Sequence, residues 1–180
     1  MNPNKKYIIL SDGTIYEGVG FGFNSEVLGE IVFNTSMTGY QEMLTDPSYR
    51  GQILVSTFPM IGNYGIYDDF NESINIQVKS YIVRDLCEDP FHYSNTKNLN
   101  QFLLENKIPG IHSIDTRAIT RKIRKFGSKM ALITSDSNID KAIDKIKKFG
   151  AYEDTNYVNQ VSVKQTENHI AKNSKFKIAH

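Results

Sequence analysis

One cysteine in 180 residues, Cys87, leaves no internal disulfide to consider. Net charge is nearly absent as well: 21 Lys and Arg against 20 Asp and Glu give a formal +1. The chain as a whole therefore exerts no electrostatic pull on nucleic acid or anionic lipid, and any such binding would need a local patch. No apolar run approaches the roughly 20 residues that span a bilayer, and Met1–Lys6 is too short and polar to open a secretory signal. A cytoplasmic protein with neither membrane nor nucleic acid as a partner is expected. Four scattered histidines, His92, His112, His169 and His180, show no pair at ligand spacing and have no second cysteine to join them, so no metal site is expected. Cys87 itself lies in Asp85-Leu86-Cys87-Glu88-Asp89, where three carboxylates disfavour a thiolate; it reads as passive rather than nucleophilic.

What the chain does have is an ordinary globular composition, 39% apolar and 23% charged. At this length folding buries roughly 70% of the surface of the unfolded chain, enough for one core without disulfides or a structural metal. The first half is mostly β. Tyr7–Leu10 and Thr14–Glu17 flank Ser11-Asp12-Gly13, a hairpin signal in which Gly13 supplies a positive φ. Further strand-like runs are Glu30–Asn34, Gln52–Phe58, Ile74–Val83 and Met130–Thr134. Three helices are expected: Asn98–Glu105, Thr116–Phe126 stopped by Gly127, and the amphipathic Asn138–Phe149 stopped by Gly150. The fold class is mixed α/β, a largely β first half with about three helices packed on it. Apolar density falls after Gly150, so the main domain is placed at 1–150 and a linker at 151–175. Phe176–His180 reads as the opening strand of a further, truncated domain.

Two segments look like sites and have plain explanations. Gly18-Val19-Gly20-Phe21-Gly22 resembles a phosphate-cradling loop, but no helix and no Gly-Lys-Ser/Thr follows, so a bend or bulge in the sheet is expected. Arg117 to Lys129 concentrates six basic residues without an acid. Asp115 is placed to cap a helix there, and cations in the last turn complement its dipole. A solvated face, a protein interface and a nucleic-acid contact all remain open, the last disfavoured by the lack of interleaved aromatics and of overall charge.

The most informative stretch is Phe33–Glu42 followed by Met43–Gly51. Thr38 and Gln41 have capping-box spacing, so a short helix should begin there. It ends early, because Asp46-Pro47 favours the first two positions of a turn; Ser48 falls at the third, its hydroxyl outward. Hydroxyls are dense, yet no histidine lies within the segment to activate one. A ligand-facing or subunit-facing loop and an ordinary strand–helix–turn connection fit equally well.

Glu30-Ile31-Val32-Phe33-Asn34-Thr35-Ser36-Met37-Thr38-Gly39-Tyr40-Gln41-Glu42, Leu44–Tyr49, Phe58-Pro59 with Ile61–Gly65, Val83-Arg84-Asp85, and Ile114–Arg117 with Thr120-Arg121 closely resemble the N-terminal domain of the small, glutamine-hydrolysing subunit of carbamoyl-phosphate synthase. The resemblance runs in order from Tyr7 to Gly150. It implies a swivelling β/β/α domain, followed in the family by a class I glutamine amidotransferase domain that supplies cysteine, histidine and glutamate for amide cleavage. No catalytic residue is therefore expected in this chain. One binding residue is: the serine of the Asp-Pro-Ser-Tyr motif contacts glutamine in the family and matches Ser48.

The resemblance further implies that ammonia released on the small subunit passes through an internal tunnel to a large subunit. There it meets carboxyphosphate made from bicarbonate and ATP, and the product serves arginine or pyrimidine synthesis. ATP and magnesium belong to the large subunit, so no cofactor or metal is expected here. The implied partners are that large subunit, the chain's own amidotransferase domain and L-glutamine. The basic helix at Arg117–Lys125 and the loop at Phe58–Gly65 become candidate docking surfaces. A free-standing binding or adaptor domain of the same fold is the alternative.

Overall fold

The computed structural model describes residues 4–67, 69–92 and 96–165. The expected opening strand at Phe176–His180, and residues 166–175 of the expected linker, lie outside the described residues.

The chain opens with the hairpin that Ser11-Asp12-Gly13 predicts. Strand β1 (Lys5–Leu10) pairs antiparallel with β2 (Ile15–Gly22), and Gly13 takes φ 82° in the turn. β3 (Val27–Asn34) leads into a short helix, α1 (Tyr40–Thr45), and a 3-10 turn over Pro47–Tyr49, and returns as β4 (Gln52–Ser56) parallel to β3. The segment between Asn34 and Gln52 is therefore the crossover of a parallel strand pair. β5 (Met60–Ile61) and β7 (Asp85–Leu86) make a separate two-stranded parallel piece around β6 (Ser80–Ile82). Helix α2 (Leu99–Glu105), β8 (Pro109–His112), α3 (Thr116–Phe126), β9 (Lys129–Thr134) and α4 (Ile139–Phe149) complete the domain. Seven strands close a barrel in the order β1-β2-β8-β6-β4-β3-β9, and β9 pairs back on β1. Among the described residues no helix is long and apolar enough to cross a membrane.

Strand alternation sorts the apolar side chains into layers. Ile8, Leu10, Ile31, Ile53, Val55, Ile82, Ile111 and Ile133, from strands all round the barrel, form one fully buried cluster, to which α3 adds Ile119 and Ile123. The intervening residues face outward onto helices: Ile9 and Leu132 meet Ala142 and Ile146 of α4, whereas Leu54 and Tyr81 meet α1 and α2. The three expected helices are present with the expected stops. Asn98, Asp115 and Asn138 each accept a backbone N–H at their N-termini, and Gly127 and Gly150 end α3 and α4 at positive φ.

Two expectations are corrected. The Ile74–Val83 run is a strand only over Ser80–Ile82; Ile74 is 96% exposed, and Gln77 and Lys79 instead donate single backbone bonds to Leu44 and Gln52. Gly18–Phe21 is neither bent nor bulged through its pairing, and only Gly22, the last residue of the strand, leaves the extended conformation, at φ 65°. The segment continues β2 in register with β1 and β8, and its glycines serve close approach. A Cβ on Gly18 would lie 2.5 Å from Ile111 Cγ2, and one on Gly20 would lie 2.9 Å from the Lys6 stem.

After Gly150 the chain does not leave the domain at once. A 3-10 turn (Tyr152–Asp154) and helix α5 (Tyr157–Val161) fold back toward the crossover, with the Tyr152 and Tyr157 rings stacked at 4.5 Å.

Candidate functional site

Asn34 closes β3, and its Oδ1 accepts the Ser36 N–H at 2.7 Å, turning the chain into an exposed loop, Thr35–Thr38. The helix that follows starts one residue later than the capping box requires. Gly39, at φ 83°, is the N-cap, and no side chain within the segment caps it. The cap comes from a distant residue: the Tyr64 hydroxyl accepts the N–H groups of Gly39 and Tyr40 at 2.7 and 3.1 Å. Thr38 is left exposed, and Gln41, now at the second helical position, points into the core with no exposed surface. Its carboxamide is satisfied there: Nε2 donates to Asn71 Oδ1 at 2.8 Å and to the Tyr67 carbonyl, while Oε1 accepts the Tyr67 N–H at 2.8 Å. Reciprocal capping is thus replaced by ties to residues more than twenty positions away, which local spacing does not reveal.

The Tyr40 ring stacks on Tyr64 at 4.2 Å, and its hydroxyl donates to the Gly65 carbonyl at 2.6 Å. Burial pushes both phenols up from the ordinary tyrosine value, so they stay protonated hydrogen-bonding groups. The Phe58–Gly65 loop is accordingly part of the support beneath α1. Ile61 and Gly65 are buried in it, and Pro59, Met60 and Asn63 are exposed.

At the far end of α1, buried Thr45 bonds the Gln41 carbonyl and accepts from Glu72 N, and its own carbonyl accepts from Ser73 Oγ at 2.6 Å. Asp46 then builds the turn. Its carboxylate accepts the Ser48 N–H at 2.8 Å, and its carbonyl accepts the Tyr49 N–H at 3.0 Å. Pro47 holds the second turn position and Ser48 lies exposed at the third, as the motif predicts. The Ser48 hydroxyl has no hydrogen-bond partner among the described residues, so both its donor and its lone pairs are open to a ligand. Tyr49, next to it, packs its ring on the core and accepts at its hydroxyl from Asn34 Nδ2 at 2.9 Å.

Residues beyond Gly150 seat the other side of this turn. The Tyr152 hydroxyl donates to the Arg50 carbonyl at 2.7 Å, Arg50 Nε donates to Gln160, and the Tyr157 ring lies where any Cβ on Gly51 would be, 2.4 Å away. The elements converging on Ser48 are therefore the crossover, the end of β3 and the first turns after the barrel.

Other candidates stand apart from it. Among the described residues no group of three His, Cys, Asp or Glu could hold a metal ion. Cys87 Sγ donates to the Asp89 carbonyl at 3.4 Å. His112 packs edge-on against Phe21 in the wall of a cavity of about 470 Å³ between β2 and α2, and burial lowers its pKa. No residue of the Asn34–Gly51 segment lines that cavity. The basic segment divides by function. Lys122 of α3 and Lys129 at the start of β9 reach Asp12 in the first hairpin at 3.0 and 3.8 Å, tying both elements to it. Burial raises the Asp12 pKa, but hydrogen bonds from Thr14 and Lys122 outweigh it and hold the carboxyl at about 2. Arg117, Arg121 and Arg124 are exposed and make no ion pair among the described residues.

A family model described as "Carbamoyl-phosphate synthase small chain, CPSase domain" matches residues 8–133, which contains the whole crossover. The chain belongs to the carbamoyl-phosphate synthase small-chain family. Proteins named carbamoyl phosphate synthase small chain agree with it along nearly its full length. That of Fusobacterium nucleatum is 48% identical over 160 residues, covering 88% of this chain and 44% of the relative. That of Clostridium acetobutylicum is 45% identical over 171 residues, 94% of this chain and 48% of the relative. The archaeal small chain of Methanosarcina mazei is 41% identical over 162 residues, 89% of this chain and 44% of the relative. The chain thus spans a little under half the length of these small chains.

Proposed function

We propose that this chain is the non-catalytic, swivelling β/β/α domain of a cytoplasmic, glutamine-hydrolysing carbamoyl-phosphate synthase small subunit. It presents Ser48 to L-glutamine and docks the subunit onto a large partner. In this reading amide cleavage belongs to an amidotransferase domain, and ATP and magnesium act on the large subunit, where the released ammonia is consumed. The observation that carries the reading is the Ser48 hydroxyl, exposed and unpartnered on a turn whose neighbours on both sides are tied down. Unlike the open hydroxyls of the Thr35–Thr38 loop, that of Ser48 sits on a turn held from both sides, and it suits substrate contact rather than nucleophilic attack, since it hydrogen-bonds no base among the described residues.

Ser48→Ala in the full-length subunit, assembled with its partner, is expected to raise the KM for glutamine about three- to tenfold, the loss of one hydrogen bond. Ammonia-dependent synthesis should be kept. Equal loss with both nitrogen donors would overturn the assignment.

The docking face follows from the split basic segment. Lys122 and Lys129 are spent on Asp12, so Lys125 and three arginines of α3, Arg117, Arg121 and Arg124, are the charges left for an acidic surface. Reversing all three to glutamate is expected to weaken association with the large subunit by on the order of tenfold or more, with the loss smaller at high salt. Undiminished association of a folded triple variant, measured by titration, would remove α3 from the interface.

A further inference from the structure

Among the described residues Ser48 has one hydrogen bond of its own, from its N–H to Asp46, so what fixes its hydroxyl must be sought in its neighbours. Asp46 fixes the turn from the N-terminal side. On the C-terminal side the next residue, Tyr49, is half-buried, and its hydroxyl is held by Asn34, fifteen positions earlier. The same Asn34 carboxamide uses its oxygen on Ser36 N and its nitrogen on Tyr49. Asn34 is the last residue of β3, paired in register with Ser56 of β4, so its backbone is part of the barrel wall. One side chain therefore references the turn to the wall and sets the direction in which the loop leaves it.

Resting on the glutamine-contact reading of Ser48, we propose that Asn34 and Tyr49 are positioning residues for glutamine, acting through Ser48. The rigid Tyr49 ring is a lever between the barrel wall and the turn. Its tip is pinned by Asn34 Nδ2, and its root is the residue adjoining Ser48. Releasing the tip leaves the core packing of the ring in place but lets the turn shift, and a side chain needs placement to within about half an ångström to keep a productive contact. Neither residue touches glutamine in this proposal.

The test uses the full-length subunit in its complex, with glutamine and ammonia as alternative nitrogen donors. Tyr49→Phe keeps the ring and removes only the hydroxyl. It is expected to raise the KM for glutamine about three- to tenfold while kcat and the ammonia-dependent rate hold. Asn34→Ala should do the same. Asn34→Asp should restore most of the affinity, because its carboxylate still accepts from Ser36 N and can accept from the Tyr49 hydroxyl, now the donor. In a Ser48→Ala background Tyr49→Phe should add less than twofold, since the contact it steers is gone.

If Ser48→Ala raises the glutamine KM and Tyr49→Phe does not, the positioning proposal falls and the Ser48 contact stands. If Ser48→Ala itself has no effect on that KM, the contact falls first. A full additional effect of Tyr49→Phe in the Ser48→Ala background would mean Tyr49 acts elsewhere, and equal loss with ammonia would mean the bond holds the fold; either result overturns the proposal.

Discussion

Tyr40→Ala is expected to destabilise the domain by about 3–5 kcal/mol, the range for truncating a buried aromatic. Three losses coincide at this residue. The ring is 1% exposed and stacks on Tyr64, so its removal opens a cavity beneath α1. The Gly65 carbonyl loses its donor. The Tyr64 hydroxyl, which caps α1, then loses the surface that seats it. Tyr40→Phe separates these contributions: it keeps the ring and should cost about 1–3 kcal/mol for the unpaired carbonyl alone. Urea denaturation followed by circular dichroism measures both. A Tyr40→Ala midpoint close to that of Tyr40→Phe would show that the stack contributes little.

Gly18→Ala is expected to cost about 1–3 kcal/mol, because it overpacks a wall that cannot give way. The added methyl would sit 2.6 Å from the His112 carbonyl oxygen as well as 2.5 Å from Ile111. A side chain can swing aside; a backbone carbonyl between paired strands cannot without breaking the β2–β8 ladder. At Gly127 a Cβ would meet nothing within 4 Å, but φ 81° and ψ 168° place it in a region essentially reserved for glycine, so alanine there costs through backbone strain alone. Thermal denaturation of Gly18→Ala against the parent domain should show this loss, and an unchanged midpoint would contradict the close-approach account.

These two residues also mark what sequence reading reaches. Helices α2, α3 and α4 are legible because their signals are local: Asn98, Asp115 and Asn138 begin them, and Gly127 and Gly150 end the last two. The Asp46-Pro47-Ser48 turn is legible for the same reason. Gly18–Gly22 misleads because glycine reports a need for space without saying whether a bend or a neighbour creates it. In this barrel the neighbours are Ile111, Lys6 and Leu103, none of them adjacent in sequence. β8 escapes notice since Pro109-Gly110 resembles a turn. Gly110 is there because the Phe21 ring lies 2.3 Å from where its Cβ would be. At the site, Ser48 can be picked out, while the groups that set it, Asn34 on Tyr49 and Tyr64 on α1, lie 15 to 25 positions off and emerge only with the fold.

The contacts of Tyr152, Tyr157 and Gln160 with Arg50 and Gly51 give the first turns after the barrel a mechanical role. They grip the chain two and three residues past Ser48, so the segment after α4 and the Ser48 turn form one stiff unit. A tug on residues 152–160 is felt at Ser48 without passing through the barrel core.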